Sequence, residues 1–343
     1  MSNTRTELSA LGEFGFINHI HKQIKIYNSS TKKGIGDDAA VIQPTANEVT
    51  LVSTDLLVEK IHFDLTYTPL KHLGYKAIAV NVSDIAAMNG KPEQVTVGIA
   101  VSNRFSVEAL DELYAGMRLA CEQYNVDIVG GDTTSSTSGL VIAVTVIGKA
   151  QPQQVVYRNT ARPTDIICVT GDLGAAYLGL QLLEREKQEF LVNPSMQPQL
   201  SDYEYVIGRQ LKPEARMDII HELADIGIVP TAMIDISDGL ASEVLHICSQ
   251  SKVGAVIFED KIPLDKETYD VALNQFSLEP TTCALNGGED YELLFTISQK
   301  DYEKIKNHSD ISFIGYITED KSAYLVTRGN QQVPLKAQGW KHF

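Results

Sequence analysis

The chain has 343 residues, 43% of them hydrophobic and 21% charged, with a formal net charge of −15. That length exceeds one ordinary core and suits two domains, and the composition excludes a disordered or fibrous chain. So acidic a chain repels nucleic acid and anionic lipid, and it has no run of Lys and Arg with interleaved aromatics to override that field; any phosphate it handles must be held through borrowed cations.

The start, Met1 to Ala10, is polar and lacks the apolar core of a signal peptide. Phe14, Ile17, Ile20 and Ile24 recur at helical spacing and predict an opening helix. A polar loop ends in Gly34-Ile35-Gly36-Asp37-Asp38, and strands are expected over Glu48–Asp55 and Leu57–Phe63. The alanine-rich run Leu70–Met88 reads as a long helix closed by Asn89-Gly90. Val95–Val101 reads as a strand, Ser106–Tyr124 as a helix with Ser106 as N-cap, and Val126–Val129 as a short strand. Gly130-Gly131-Asp132-Thr133-Thr134 is expected as a loop, followed by the strand Leu140–Gly148. Proline and polar residues over Gln151–Pro163 place a domain boundary near residue 151, giving domains 1–150 and 151–343.

The second half opens with the strand Asp165–Thr170, the turn Gly171-Asp172-Leu173-Gly174 and a helix over Ala175–Leu183. Glu184–Ser201 is expected as a polar surface excursion, and helices follow around Tyr203–Arg209 and Ala215–Ala224. Strands are expected at Met233–Ile236, Val253–Phe258 and Tyr291–Thr296, with a helix from Ser237 through Ile247. Both halves mix strands with helices, so the fold class is α/β. Cys121, Cys168, Cys248 and Cys283 are scattered without a Cys-x-x-Cys pair, which argues against a zinc site or disulfide framework and points to the reducing cytoplasm. No apolar run approaches the ~20 residues that span a bilayer.

One local form repeats: a short apolar strand runs into a turn that carries Asp with Gly, Ser or Thr. It occurs at Gly36-Asp37-Asp38, Ser53-Thr54-Asp55, Gly130–Thr134, Gly171-Asp172, Asp235-Ile236-Ser237-Asp238-Gly239 and Gly288-Glu289-Asp290. Turn chemistry or helix capping explains any one of these alone. Asp84 is different. It stands among Ala79, Val80, Val82, Ile85 and Ala86, where a lone carboxylate is expensive to bury, with Asn81 on the same helical face. As a set, the motifs suit a magnesium and phosphate site: carboxylates for a hard cation, glycines for close backbone approach, hydroxyls as neutral donors. There is no Gly-x-x-x-x-Gly-Lys-Ser/Thr loop, protein-kinase signature, full dinucleotide turn or Gly-x-Ser-x-Gly elbow.

Taken in order, these motifs resemble the thiamine-monophosphate kinase family, which groups with aminoimidazole ribonucleotide synthetase and selenophosphate synthetase. The likeness runs from Gly12-Glu13-Phe14 through His62-Phe63, Tyr75-Lys76-Ala77 and Asn81–Met88 to Gly287-Gly288-Glu289-Asp290-Tyr291-Glu292-Leu293. The resemblance implies two α/β domains, each a mixed sheet packed with helices, and a homodimer in which the N-terminal sheets pair. It implies several Mg2+ ions on Asp38, Ser53, Thr54, Asp55, Asp84, Asp132, Asp235 and Asp238. ATP, the phosphate donor, would meet Tyr114, Gly130, Gly131, Arg158 and Ser237, on the N-terminal domain near the dimer interface. Thiamine monophosphate would meet His62 and Glu289, with Trp340 stacking near one of its rings. The implied reaction is direct in-line transfer of the γ-phosphate to give thiamine diphosphate. No catalytic side chain is assigned: the acceptor phosphate is already ionised near neutral pH and needs no strong general base, and direct transfer requires no phospho-enzyme.

Within the superfamily, selenophosphate synthetase fits poorly, since its reactive Cys or selenocysteine lies near the N-terminus and the first cysteine here is Cys121. A hydrogenase-maturation relative would end in a functional Cys, whereas this chain ends Trp340-Lys341-His342-Phe343. Aminoimidazole ribonucleotide synthetase is the nearest enzyme alternative. A non-catalytic nucleotide sensor and a calcium-binding structural protein are the readings from other classes. The full carboxylate set opposes the first, and the lack of an Asp-x-Asp-x-Asp-Gly loop ending in Glu opposes the second.

Overall fold

The computed structural model describes residues 31–33 and 36–338. The expected opening helix, Gly34, Ile35 and Trp340 lie outside the described residues. Strands β1 (Thr31–Lys33), β2 (Ala40–Ile42) and β3 (Val49–Val58) lead to helix α1 (Leu70–Ala87). Then come β4 (Lys91–Val101), α2 (Val107–Tyr124), β5 (Asp127–Ser135) and β6 (Val141–Ala150). Among the described residues these strands form one sheet in the order β1-β2-β3-β6-β4-β5, parallel only between β4 and β5.

The rest of the chain gives β7 (Ile166–Thr170), α3 (Ala175–Val192), α4 (Glu204–Leu211), α5 (Met217–Asp225), β8 (Ala232–Asp235), α6 (Leu240–Ser251) and β9 (Gly254–Phe258). After these come α7 (Lys266–Phe276), α8 (Pro280–Asn286), β10 (Leu293–Ile297), α9 (Tyr302–Ile305), β11 (Ile311–Thr318), β12 (Ala323–Val326) and β13 (Gln332–Pro334). The second sheet runs β13-β12-β9-β11-β7-β10-β8 and is also mixed. The fold class is therefore α/β with two mixed, helix-packed sheets.

Period-two alternation sends the side chains of the second sheet to two different cores. Cys168 and Phe295 face a core shared with α1 and the first sheet, while Ile167, Val169 and Leu294 face a core under α6. The first core is continuous across both sheets, so α1 is held between them. Its packing on α2 is close enough to require glycine: a Cβ on Gly74 would come within 1.9 Å of the Leu113 carbonyl oxygen, and one on Gly116 within 1.8 Å of that of Lys71.

Several expected elements differ. The two strands expected over 48–63 are one, Val49–Val58, because β6 offers a ladder partner at every position up to Val58. Residues 59–63 then turn, with Lys60 at φ +71°. The expected loop Gly130–Thr134 is part of strand β5, because β4 pairs it in parallel, Gly131 opposite Val97 and Asp132 opposite Gly98. Helix α3 does not stop at Leu183; it continues to Val192. The helix expected from Ser237 begins at Leu240, after Gly239 at φ +118°. Ser106 caps α2 as expected, accepting from the Ala109 N–H. Helices α7 and α8, which no sequence motif marked, fill the stretch before Gly287.

Candidate active site

Strand β3, helix α1 and strand β8 converge on one cavity of ≈ 2010 Å³. Asp38 in the turn before β2, Asp84 in α1 and Asp235 at the end of β8 each bring a carboxylate oxygen within 4.8 Å of the others. One turn of α1 explains how. The Asn81 amide oxygen accepts the Asp55 N–H at 3.2 Å. The Ser83 hydroxyl donates to Asp235 at 2.6 Å. Asp84 accepts from the Ser53 hydroxyl at 2.5 Å. Neighbouring positions of one helix thus hold β3 of the first sheet and β8 of the second, and both bring carboxylates to the same point.

Those carboxylates disfavour their charged forms. Burial raises the pKa of Asp38 to about 7; Arg158 opposes the rise and Asp235 reinforces it. Burial raises Asp235 to about 6, with the Ser83 hydrogen bond opposing and Asp55 reinforcing. Asp84 is pushed well above the usual carboxylate range by burial and by Asp55, Asp235 and Asp38. An all-oxygen, surplus-negative cluster is the complement of a hard divalent cation. Arg158 is buried beside it, its Nε 3.2 Å from Asp38 and its backbone N–H 3.4 Å from Asp37. Burial disfavours its charge, but Asp38 and Asp37 outweigh that and push its pKa up.

The facing wall is built from the loops at 237–239 and 287–290. The Glu289 N–H donates to the Ser237 carbonyl at 2.7 Å. Gly288, at φ +70°, packs so closely that a Cβ would stand 2.5 Å from that same oxygen. The Asp238 N–H donates to Glu243 at 3.0 Å. Glu289 itself has φ +62°, a left-handed conformation that a non-glycine residue holds only when its surroundings enforce it. His62 accepts the Val58 N–H on Nδ1 at 3.0 Å, so the proton of the neutral ring sits on Nε2.

Of the residues singled out in the sequence, Asp38, Ser53, Thr54, Asp55, Asp84 and Arg158 line the cavity from the first half of the chain. His62, Asp235, Ser237, Asp238 and Glu289 line it as well. Thr54 turns its hydroxyl the other way, donating to the Val144 carbonyl at 3.0 Å, as alternation along β3 requires. Tyr114, Gly130, Gly131 and Asp132 are not brought to this cavity. Tyr114 packs half-buried on α2, and the other three are exposed on β5. Strand β5 lies three strands from β3, about 14 Å away.

Sequence reasoning gave no role to Lys76, Glu243, Arg209, Arg216 or Glu292. Lys76, 3% exposed, bonds Glu289 and donates to the Gln210 carbonyl at 3.1 Å. Glu292 is a buried hub that receives Arg209 at 3.0 Å, Arg216 at 2.6 Å and the Thr170 hydroxyl at 2.5 Å. Asp290 accepts the Gly174 N–H at 2.9 Å, just before α3. The signal for Lys76 was the one used for Asp84, a lone charge in an apolar, alanine-rich helix. Nothing local marked the others.

Two domain profiles match the chain: AIR synthase related protein, N-terminal domain, over residues 36–150, and AIR synthase related protein, C-terminal domain, over residues 162–327. The thiamine-monophosphate kinase of Bacillus subtilis is 36% identical, over 97% of this chain and 100% of its own length. That of Buchnera aphidicola subsp. Schizaphis graminum is 36% identical, over 96% of this chain and 98% of its own. A solved structure, AaThiL complexed with AMPPCP and TMP, superimposes with a TM-score of 0.84 at 32% identity, covering 99% of this chain and 100% of that one.

Proposed function

We propose, because the chain belongs to the thiamine-monophosphate kinase family, that it transfers the γ-phosphate of ATP to thiamine monophosphate and forms thiamine diphosphate. The convergence of Asp38, Asp84 and Asp235 from three distant parts of the chain carries this reading. A kinase of net charge −15 must join two anionic reactants, and carboxylates with raised pKa mark where it recruits cations to do so. The donor set is all oxygen and fits Mg2+. Asp38, Ser53, Asp55, Asp84, Asp235 and Asp238 would hold such ions at the cavity, while Thr54, whose hydroxyl faces the other way, and Asp132, on β5, are assigned to metal by the resemblance alone. Bound there, Mg2+ would supply the positive charge that offsets the phosphates.

The chain's own groups do the rest. Arg158, whose guanidinium is paired with Asp38, is assigned to a phosphate of ATP. By the resemblance, Ser237 at the cavity and Tyr114, Gly130 and Gly131 outside it are assigned to ATP, His62 and Glu289 to the acceptor, and Trp340 to an acceptor ring. His62, with its proton on Nε2, is a donor for an acceptor phosphate oxygen. That oxygen needs only alignment and charge cancellation to attack in line. Residues 1–150 form the nucleotide, metal and dimerisation domain, and 151–343 complete the substrate site. A homodimer is supported by the first sheet: Leu56 on β3 is 59% exposed and Val129 on the edge strand β5 is 58% exposed. Pairing of these sheets in two subunits would cover both. Cytoplasmic residence is supported by four buried thiols that form no disulfide. Among the described residues, no helix is long and apolar enough to cross a membrane.

The test is ADP release with ATP, Mg2+ and thiamine monophosphate, against free thiamine as control. Acceptor-dependent ADP release with the phosphate ester, and none with the free alcohol, supports the reading. Asp55→Asn and Asp132→Asn are expected to abolish turnover while leaving the fold intact; a near-normal rate in either would remove that residue from the metal site.

A further inference from the structure

Lys76 stands out among the groups that the proposed reaction does not use. It sits in α1 between Tyr75 and Ala77, and every residue from Leu73 to Ser83 is buried. A buried ammonium is costly unless it is paired. Its partners lie across the cavity in the other half of the chain: the Gln210 carbonyl at the end of α4 and the carboxylate of Glu289. The Tyr291 hydroxyl donates to the other oxygen of that carboxylate at 3.2 Å. Glu289 thus has its backbone strained into the left-handed region and its side chain held from two sides, while 29% of that side chain stays exposed. Lys76 and Glu289 both line the cavity.

A carboxylate fixed at this point repels the acceptor's phosphate, so it belongs at the acceptor's other end. Thiamine monophosphate carries a permanent positive charge on its thiazolium ring. Resting on the proposed function, we infer that Lys76 is a positioning residue: it fixes Glu289 as a stationary negative charge that reads the cationic ring of the acceptor. Without Lys76 the Glu289 side chain can swing toward bulk water, and the ring loses its counter-charge. Lys76 acts only through Glu289 and does not touch the transferred phosphate. Its removal therefore weakens acceptor binding and leaves nucleotide binding alone.

The test is a double-variant cycle on the full-length enzyme, with KM measured separately for thiamine monophosphate and ATP. Lys76→Met and Glu289→Gln are each expected to raise the KM for thiamine monophosphate by roughly tenfold or more, with the KM for ATP unchanged. The double variant is expected to match Glu289→Gln alone, and Lys76→Arg to recover most of the loss. Should Lys76→Met fold poorly, the double variant leaves neither charge unpaired, and its comparison with Glu289→Gln decides the question. Additive losses in the double variant, equal changes in both KM values, or an unchanged acceptor KM in Lys76→Met overturn the inference. The charge reading has its own arm, inhibition of wild-type enzyme by a neutral hydroxyethylthiazole phosphate. Weak or absent inhibition supports it, and inhibition as tight as the KM for thiamine monophosphate refutes it. Wild-type turnover of thiamine monophosphate tests the proposed function separately, so the two ideas fail independently.

Discussion

Replacing Asp84 with Asn removes one charge from the carboxylate cluster with almost no change in shape. One of its oxygens lies within 4.8 Å of an oxygen of Asp38 and of Asp235. At an effective dielectric constant near 20, each such pair repels by about 3.5 kcal/mol. Partial protonation lets the wild type escape much of this, and Asn gives up the charge-assisted part of the Ser53 hydrogen bond. The net gain for the metal-free protein is therefore about 1–2 kcal/mol at pH 8, or a Tm higher by about 3 °C. The size of the gain depends on pH. Asp38 and Asp235 titrate at about 7 and about 6 in the folded protein, above their ordinary 3.8. The folded state thus holds protons that the unfolded chain has lost between about pH 4 and pH 7, and its stability falls as pH rises through that window. The advantage of Asp84→Asn is full at pH 8 and mostly gone at pH 5. Turnover moves the opposite way: without a full metal site the variant is inactive at both pH values. Scanning calorimetry in chelator at pH 8 and pH 5, beside the ADP assay, reads both effects. A variant less stable than wild type at pH 8, or one with near-normal turnover, refutes the claim that these carboxylates carry surplus negative charge for a metal.

Magnesium titrated into wild-type protein at pH 8 is expected to raise Tm, by about 2.7 kcal/mol of stabilisation near 100 times Kd, and to do much less for Asp84→Asn; below pH 7 calorimetry in two buffers should show proton release on binding. Asp290→Ala takes away the acceptor of the Gly174 N–H ahead of α3 and is expected to cost about 1–2 kcal/mol in urea unfolding, with the KM for ATP unchanged. Gly288→Ala forces a side chain into φ +70° and against the Ser237 carbonyl; a loss of about 1–3 kcal/mol and a fall in kcat are expected, because Ser237 and Asp238 must shift. Gly208→Ala is the contrast: it lies in α4, and no atom stands within 4 Å of the point its Cβ would occupy. It is expected to stabilise by about 0.5–1 kcal/mol, read as a raised urea midpoint with unchanged turnover.

The sequence by itself determined the parts of the fold whose physics is local. Helix α1 ends one residue from its expected limit because Asn89-Gly90 and Pro92 stop it in any context. The Asp-bearing turns were legible for the same reason, since Asp, Ser and Gly act on backbone within a few residues of themselves. Asp84 announced itself as a charge in an apolar helix. Only the tertiary structure decided what depends on partners far along the chain. Gly130–Thr134 is strand instead of loop because β4 supplies its hydrogen bonds, a partner that glycine and threonine residues cannot advertise. Asp235 reaches Asp84 through Ser83, 152 positions away in sequence. Lys76 meets Glu289 across 213 positions, and Glu292 draws Arg209, Arg216 and Thr170 around one buried carboxylate. Burial of a charge is a local hint in a sequence, but the group that compensates it is chosen by how two sheets close on one helix, and that choice is made by packing of the whole chain.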